Sequence, residues 1–185
     1  MATGSGVRQA LSCGTQRVYF ALWPDAGVRA ELAQTARSMQ RVMHGRQSRD
    51  ESLHLTLAFI GDTDVENLPL LMAPPDDVFT PAFLLTLDDW GCWSRNKIGW
   101  AAPSRVPGSL RDLAENLGGW LQRAGFAIER RTFLPHVTLV RDAQCLPMPG
   151  AMAPIDWQVD EVALVRSQPA RGGHRYHVLR AWPLK

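Results

Sequence analysis

The sequence predicts a domain of mixed helices and strands, built as two related halves around a cleft. Three observations predict it. A strand, a long helix, a polar loop and a strand bearing His-x-Thr-Leu follow one another twice along the chain. The two motif histidines, His54 and His136, stand 82 positions apart, and under that shift Arg29 meets Arg111, Gln40 meets Gln122 and Arg41 meets Arg123. With 185 residues, 45% apolar and 21% charged, the chain has material for one core shared by two small lobes. Two copies are too few to stack as a solenoid, so the pattern reads as a degenerate duplication whose halves face each other across a pseudo-dyad.

Residues 1 to 15, small and polar, read as a flexible leader, and 16 to 185 as a single domain of two interleaved lobes. RVYFALWP, from Arg17, is a buried strand stopped by Pro24. Asp25 is placed to cap a helix from Ala26 to Met43. Along it Val28, Leu32, Ala36, Met39 and Met43 recur at helical spacing as its buried stripe. HGRQSRDES is a polar loop before the strand LHLTLAFIG. Asp62 is a candidate cap for a short helix over Val65 to Met72, and PPDDVFTP is a connector. FLLTLDDWGCW and KIGWAAP read as strands paired like a hairpin. A second long helix, SLRDLAENLGGWLQRAG, starts at a capping Ser109, stops at Gly125 and carries Leu110, Leu113, Leu117 and Leu121 on its buried side. FLPHVTLVR is the second motif strand, and LPMPGAMAP a loop. WQVDEVALVRS and RYHVLRAWPL are final strands flanking a glycine-rich turn.

The formal charge of +2 comes from scattered residues, which argues against a long electrostatic footprint on a nucleic-acid duplex. A small anionic group or the end of a strand remains a suitable partner. No apolar run approaches a membrane span, and no signal-peptide pattern opens the chain. Cys13, Cys92 and Cys145 are isolated and odd in number, so reduced thiols and a cytoplasmic location are expected.

Side chains two apart on a strand share a face. Leu53, Leu55 and Leu57 therefore pack into the core while His54 and Thr56 face the other way. In the second copy Val137 and Leu139 pack inward, and His136 and Thr138 share the opposite face. A structural ladder of His and Thr would also produce this pattern, but its recurrence in one frame favours a site. His-x-Thr is not a zinc-ligand spacing, and neither HExxH nor an Asp/Glu cluster accompanies it, so no metal and no other cofactor is expected. Two facing histidines suit in-line displacement at phosphorus, in which nucleophile and leaving group occupy opposite sides. One imidazole accepts the proton of the attacking water and one imidazolium protonates the departing oxygen, while two threonine hydroxyls donate to the non-bridging oxygens. A bell-shaped pH profile with both pKa values near neutrality follows. Which histidine is acid and which is base stays open on the residues alone.

The doubled motif and its flanks resemble the two-histidine (2H) phosphoesterases, and among them the RNA 2′,3′-cyclic phosphodiesterases, also called RNA 2′–5′ ligases. RVYFALWP, ESLHLTLAFIGD, RTFLPHVTLVR, DEVALVRS and the closing WPL carry the likeness, in order, from about Arg17 to Leu184. The resemblance implies a bilobal α+β fold, with antiparallel sheets lining a central cleft and helices outside. It implies hydrolysis of an RNA-terminal 2′,3′-cyclic phosphate to a 2′-phosphate, with 2′–5′ ligation as the reverse reaction in some relatives. His54 is then the proton donor, His136 the proton acceptor, and Thr56, Thr138 and Arg141 bind the phosphate. Simple alternation puts Arg141 on the wrong face, so either the strand twists or ends there, which is favoured, or the arginine is a surface residue. Phe133 is a candidate for stacking on the terminal base, and Arg130 and Arg131 for meeting RNA backbone. The partners expected are RNA 3′ ends or small nucleotides, with no membrane, for a chain taken as a monomer. Phosphodiesterase activity on 2′,5′-linked or other small cyclic nucleotides, and a non-catalytic RNA-end-binding module, are the rival readings.

Overall fold

The structure, a computed structural model, describes residues 14–128, 132–171 and 173–185. Most of the anticipated leader, together with Arg130 and Arg131, lies outside these residues. Thr15, assigned to that leader, already opens the first strand, β1 (Thr15–Leu22), where it pairs with Asp64. The helix that follows, α1 (Ala26–Met43), starts as expected: the Val28 N–H donates to Asp25 Oδ1 at 2.9 Å. The polar loop after it is more regular than its composition suggests, holding a two-residue strand, β2 (Arg46–Gln47), and a 3-10 turn over Asp50–Ser52.

The motif strand β3 (Leu55–Asp64) runs further than the hydrophobic pattern. Asp62 is thus no helix cap; it accepts two hydrogen bonds from the Arg17 guanidinium, each 3.1 Å long, while a 3-10 turn at Val65–Asn67 leads into the single-turn α2 (Leu68–Leu71). FLLTLDDWGCW splits into β4 (Phe83–Leu87) and β5 (Asp89–Trp93), and only β5 forms a hairpin with β6 (Ile98–Ala102). The second long helix, α3 (Gly108–Arg123), begins at Pro107 without a side-chain cap, so Ser109 lies inside its first turn. Gly125, at φ 89°, follows its C-terminal cap at Ala124. Beyond β7 (Val137–Arg141), WQVDEVALVRS also divides, into β8 (Ile155–Val159), which pairs with β4, and β9 (Glu161–Ala170), which pairs with β10 (Gly173–Pro183).

The main sheet is antiparallel, in the order β10-β9-β1-β3-β7-β6-β5 with β2 on β7, and β4 with β8 forms a second small sheet. β1–α1–β3 and β6–α3–β7 are the two related halves, and they meet where β3 lies beside β7. Each helix packs against the other half's motif strand, α1 on β7 and α3 on β3. Every residue of both anticipated helical stripes is buried, which gives one shared core beneath the sheet. This is the α+β, two-lobed architecture expected.

One expectation is overturned. Cys92 and Cys145 form a disulfide, with Cα atoms 5.3 Å apart across a separation of 53 residues. The pairing of β5 with β6 and of β6 with β7 sets Cys92 opposite Gly99, and Gly99 opposite Val140, close to the loop that carries Cys145. Spacing along the chain hides that proximity. Among the described residues no helix is long and apolar enough to cross a membrane.

Candidate active site

The site rests on one register pair. Leu55 of β3 is paired with Val137 of β7, antiparallel, and no other pair joins these two strands. Positions flanking an antiparallel pair run in opposite directions, so His54 lies toward Thr138 and Thr56 toward His136. The four polar side chains form a square with the histidines on one diagonal, and all four line one cleft of about 450 Å³. Leu55 and Val137, wholly buried beneath them, anchor its floor.

Beyond the square both strands bulge at the same motif position. Ala21 pairs with Thr56 but Phe20 with Ala58, leaving Leu57 as an extra residue in β3. Trp100 pairs with Thr138 but Gly99 with Val140, leaving Leu139 as an extra residue in β7. A bulge resets the alternation of a strand. Leu139 and Val140 are therefore both buried, and Arg141 turns onto the cleft face, where it lines the same cavity as the histidines. This removes the difficulty that simple alternation raised for Arg141. It also gives the asymmetry a structural form: Phe59, exposed at the cleft, occupies in the first half the position that Arg141 occupies in the second.

Each histidine is held in the same way. His54 Nδ1 lies 2.7 Å from the Ser52 carbonyl oxygen, and His136 Nδ1 lies 2.8 Å from that of Leu134. A carbonyl oxygen can only accept, so Nδ1 carries a proton in both rings and Nε2 is left as the nitrogen that gains or loses one. Their surroundings differ. Trp23 stacks on His54 at 5.2 Å with ring planes 4° apart, Tyr19 stacks at 5.0 Å, and Tyr176 meets it edge-on at 5.2 Å. Burial pushes the His54 pKa down to about 4, with Arg141 and His136 adding repulsion, against the hydrogen bond that His54 Nδ1 donates to the Ser52 carbonyl. For His54 this environment departs from the expectation of two pKa values near neutrality. The Tyr19 hydroxyl is buried without a hydrogen-bond partner among the described residues, and burial, followed by Tyr176, raises its pKa. The edge of the Trp93 ring meets His136 at 4.5 Å.

Phe133 does not line that cleft. It lines a neighbouring cavity of about 1150 Å³ with Trp93, Ile128 and Leu134, which opens beside His136 and Thr56. Sequence reasoning missed the aromatic enclosure of His54, since Tyr19, Trp23 and Tyr176 look like ordinary strand aromatics. It also missed Arg46 and Arg49, which line the cleft from the polar loop; two arginines in so short a loop were the available signal. Among the described residues no group of three or more His, Cys, Asp or Glu side chains is placed to hold a metal ion.

The chain is similar to known proteins over most of its length. Residues 22–100 match the family model described as LigT like Phosphoesterase. The chain is 35% identical over 174 residues to the RNA 2',3'-cyclic phosphodiesterase of Escherichia coli (strain K12), covering 91% of this chain and 97% of that one. The crystal structure of E. coli LigT in apo form superposes with a TM-score of 0.83 at 33% identity, over 92% of this chain and 98% of that one. The same E. coli protein complexed with 3'-AMP gives a TM-score of 0.81 at 34% identity, with the same coverage.

Proposed function

Because the chain belongs to the LigT-like phosphoesterase family, we propose that it hydrolyses RNA-terminal 2′,3′-cyclic phosphates to 2′-phosphates by paired histidine acid–base catalysis. The observation that carries this reading is the square of His54, Thr138, Thr56 and His136 around the Leu55–Val137 pair. The curated relative named RNA 2',3'-cyclic phosphodiesterase and the 3'-AMP complex of E. coli LigT support the substrate class.

In this reading His136 Nε2 takes a proton from water as its oxygen bonds to phosphorus. The bond from phosphorus to O3′ breaks on the opposite side, and His54 Nε2 delivers a proton to O3′. Thr56, Thr138 and Arg141 hold the non-bridging oxygens as charge builds on them. Burial favours neutral His54, and the negative charge of the incoming phosphate offsets Arg141 and draws a proton onto it. The aromatic faces around His54 favour the imidazolium once it forms. With the 5′-hydroxyl of a second RNA in place of water, the same two proton transfers produce a 2′–5′ linkage. No step calls on a metal. Phe133 and Trp93 offer the terminal base an apolar seat beside His136.

The test is a short RNA ending in a 2′,3′-cyclic phosphate, incubated with the protein in excess EDTA and read for the position of the product phosphate. A 2′-phosphate is expected from wild type, with loss of turnover in both His54→Ala and His136→Ala. Bound RNA end with no turnover in wild type would reduce the protein to a binding module, and turnover only on 2′,5′-linked substrates would move the activity to the rival substrate class.

A further inference from the structure

We infer that Trp23 is a positioning residue for His54: with Tyr19 it forms a slot over Ala21 that holds the plane of the imidazole, so that Nε2 is directed into the cleft. The inference rests on the hydrolase reading above and deepens it, since His54 Nε2 is the atom that delivers the proton to O3′ there.

The slot is built from the end of the first strand. Phe20 and Leu22 point into the main core, and Tyr19 and Ala21, alternating with them, share the opposite, cleft side of β1, where Trp23 packs against the same small cluster. Trp23 lies one residue beyond the strand, but Pro24 keeps the residue before it extended, so the alternation carries through. The turn is tied down just beyond: the Arg29 guanidinium donates to the Pro24 carbonyl at 2.8 Å, and Asp25 caps α1. Tyr19 and Trp23, four residues apart, are thus separated by about 13 Å along the chain. Between them Ala21, wholly buried and paired with Thr56, puts up only a methyl group. The His54 imidazole occupies that gap, with its centre 5.2 Å from the Trp23 ring and 5.0 Å from the Tyr19 ring. Tyr176 closes one side of the slot edge-on.

The slot supplies what the hydrogen bond of His54 lacks. The bond from Nδ1 to the Ser52 carbonyl fixes one nitrogen but leaves the ring free to turn about the line of that bond. Aromatic faces on both sides stop the turn. Trp23 is the closer to parallel, its plane 4° from that of the imidazole against 29° for Tyr19. The two rings differ in a second way: Tyr19 lines the phosphate cleft, whereas Trp23, half-buried against the imidazole, does not. The influence of Trp23 on the reacting phosphate therefore passes through His54. A misplaced proton donor loses its rate advantage steeply, while the hold of Thr56, Thr138 and Arg141 on the non-bridging oxygens does not depend on the tilt of the imidazole. Loss of the Trp23 face should thus appear in kcat and spare KM.

The experiment sets Trp23→Phe and Trp23→Leu beside wild type. Proton NMR of the protein without ligand reads the imidazole ring protons of His54, assigned by their disappearance in His54→Gln, and kcat and KM are measured on adenosine 2′,3′-cyclic phosphate. In wild type the indole ring current should hold those protons upfield. Phenylalanine, which keeps an aromatic face, should leave them upfield and hold kcat within about threefold of wild type. Leucine, which keeps apolar bulk without a face, should let them move downfield and lower kcat by roughly tenfold or more, with KM within about twofold. Ring protons unmoved in Trp23→Leu, an unchanged kcat, a loss shared equally by kcat and KM, or a phenylalanine variant as slow as the leucine one would overturn the role of Trp23 alone. A wild type that binds adenosine 2′-phosphate yet turns over no cyclic phosphate, with the ring protons still moving in Trp23→Leu, would instead remove the hydrolase reading and, with it, the catalytic purpose of the slot.

Discussion

Leu55 and Val137 face each other across the only backbone pairing between the two motif strands. Both are wholly buried. Each lies between the histidine and the threonine of its own motif, so this one pair fixes where all four polar groups stand. Truncating either residue would cost about 2–5 kcal/mol for a leucine and less for a valine, and it would loosen the square from below.

In the proposed mechanism the two histidines serve one displacement, so their losses should not add. His54→Ala and His136→Ala are each expected to lower kcat by roughly 10²–10⁴-fold. The double variant should fall within a few-fold of the slower single one, because removing either transfer already stops the concerted path. Single-turnover kinetics on a cyclic-phosphate RNA would show this; fully multiplicative losses would mean that the residues act in separate steps.

The bulge at Leu139 places Arg141 on the cleft face, and the bulge at Leu57 places Phe59 in the matching position. Arg141→Ala should raise KM, or the inhibition constant for a 2′-phosphate product, by about tenfold or more. Adding Phe59→Arg to that variant should restore part of the loss, since the second guanidinium enters the same cavity from the other half. No recovery, in a double variant that melts like wild type, would show that the halves are equivalent in backbone only.

Burial sets the sign of the pH dependence. The His54 imidazole titrates near 6.5 when free and at about 4 in the folded cleft, so between those values the unfolded chain binds the extra proton and stability rises with pH. Its contribution is complete above pH 6.5 and is lost as pH falls to about 4. Thermal melts should therefore drop more between pH 7 and pH 5 for wild type than for His54→Phe. Because His54 acts in its protonated form, it sets the alkaline limb of the profile: in kcat/KM, which reports the free enzyme, that limb should fall well below 6.5, and in kcat it should lie higher because bound phosphate favours the imidazolium. Coincident limbs would contradict that coupling.

The Cys92–Cys145 bond ties the strand before Trp93 to the loop after Arg141. Reduction should lower stability by about 2–4 kcal/mol, seen as a drop in Tm with dithiothreitol. Cys145→Ser should show the same drop and no further response to reductant. A wild-type melt indifferent to reductant would mean that the thiols are not paired in solution.

The helical stripes, the Asp25 cap, the core faces of both motif strands and the pairing of two His-x-Thr-Leu motifs were legible in the sequence, because each depends on residue types at local, periodic spacing. Where the periodicity was short or polar the reading failed: β2 hides in a charged loop, and single hydrophobic runs turned out to hold two strands, β4 with β5 and β8 with β9. The position of Arg141 was open for a different reason. A bulge is created by register against a neighbouring strand, and the neighbour β6 lies more than thirty residues earlier in the chain. The same holds for the aromatic rings that enclose His54, drawn from β1, from the turn after it and from β10, and for the meeting of Cys92 with Cys145. The sequence by itself determined which residues stand as candidates for the chemistry. Only the tertiary structure decided what surrounds them, since burial, register and electrostatic environment arise from contacts between segments that local pattern does not encode.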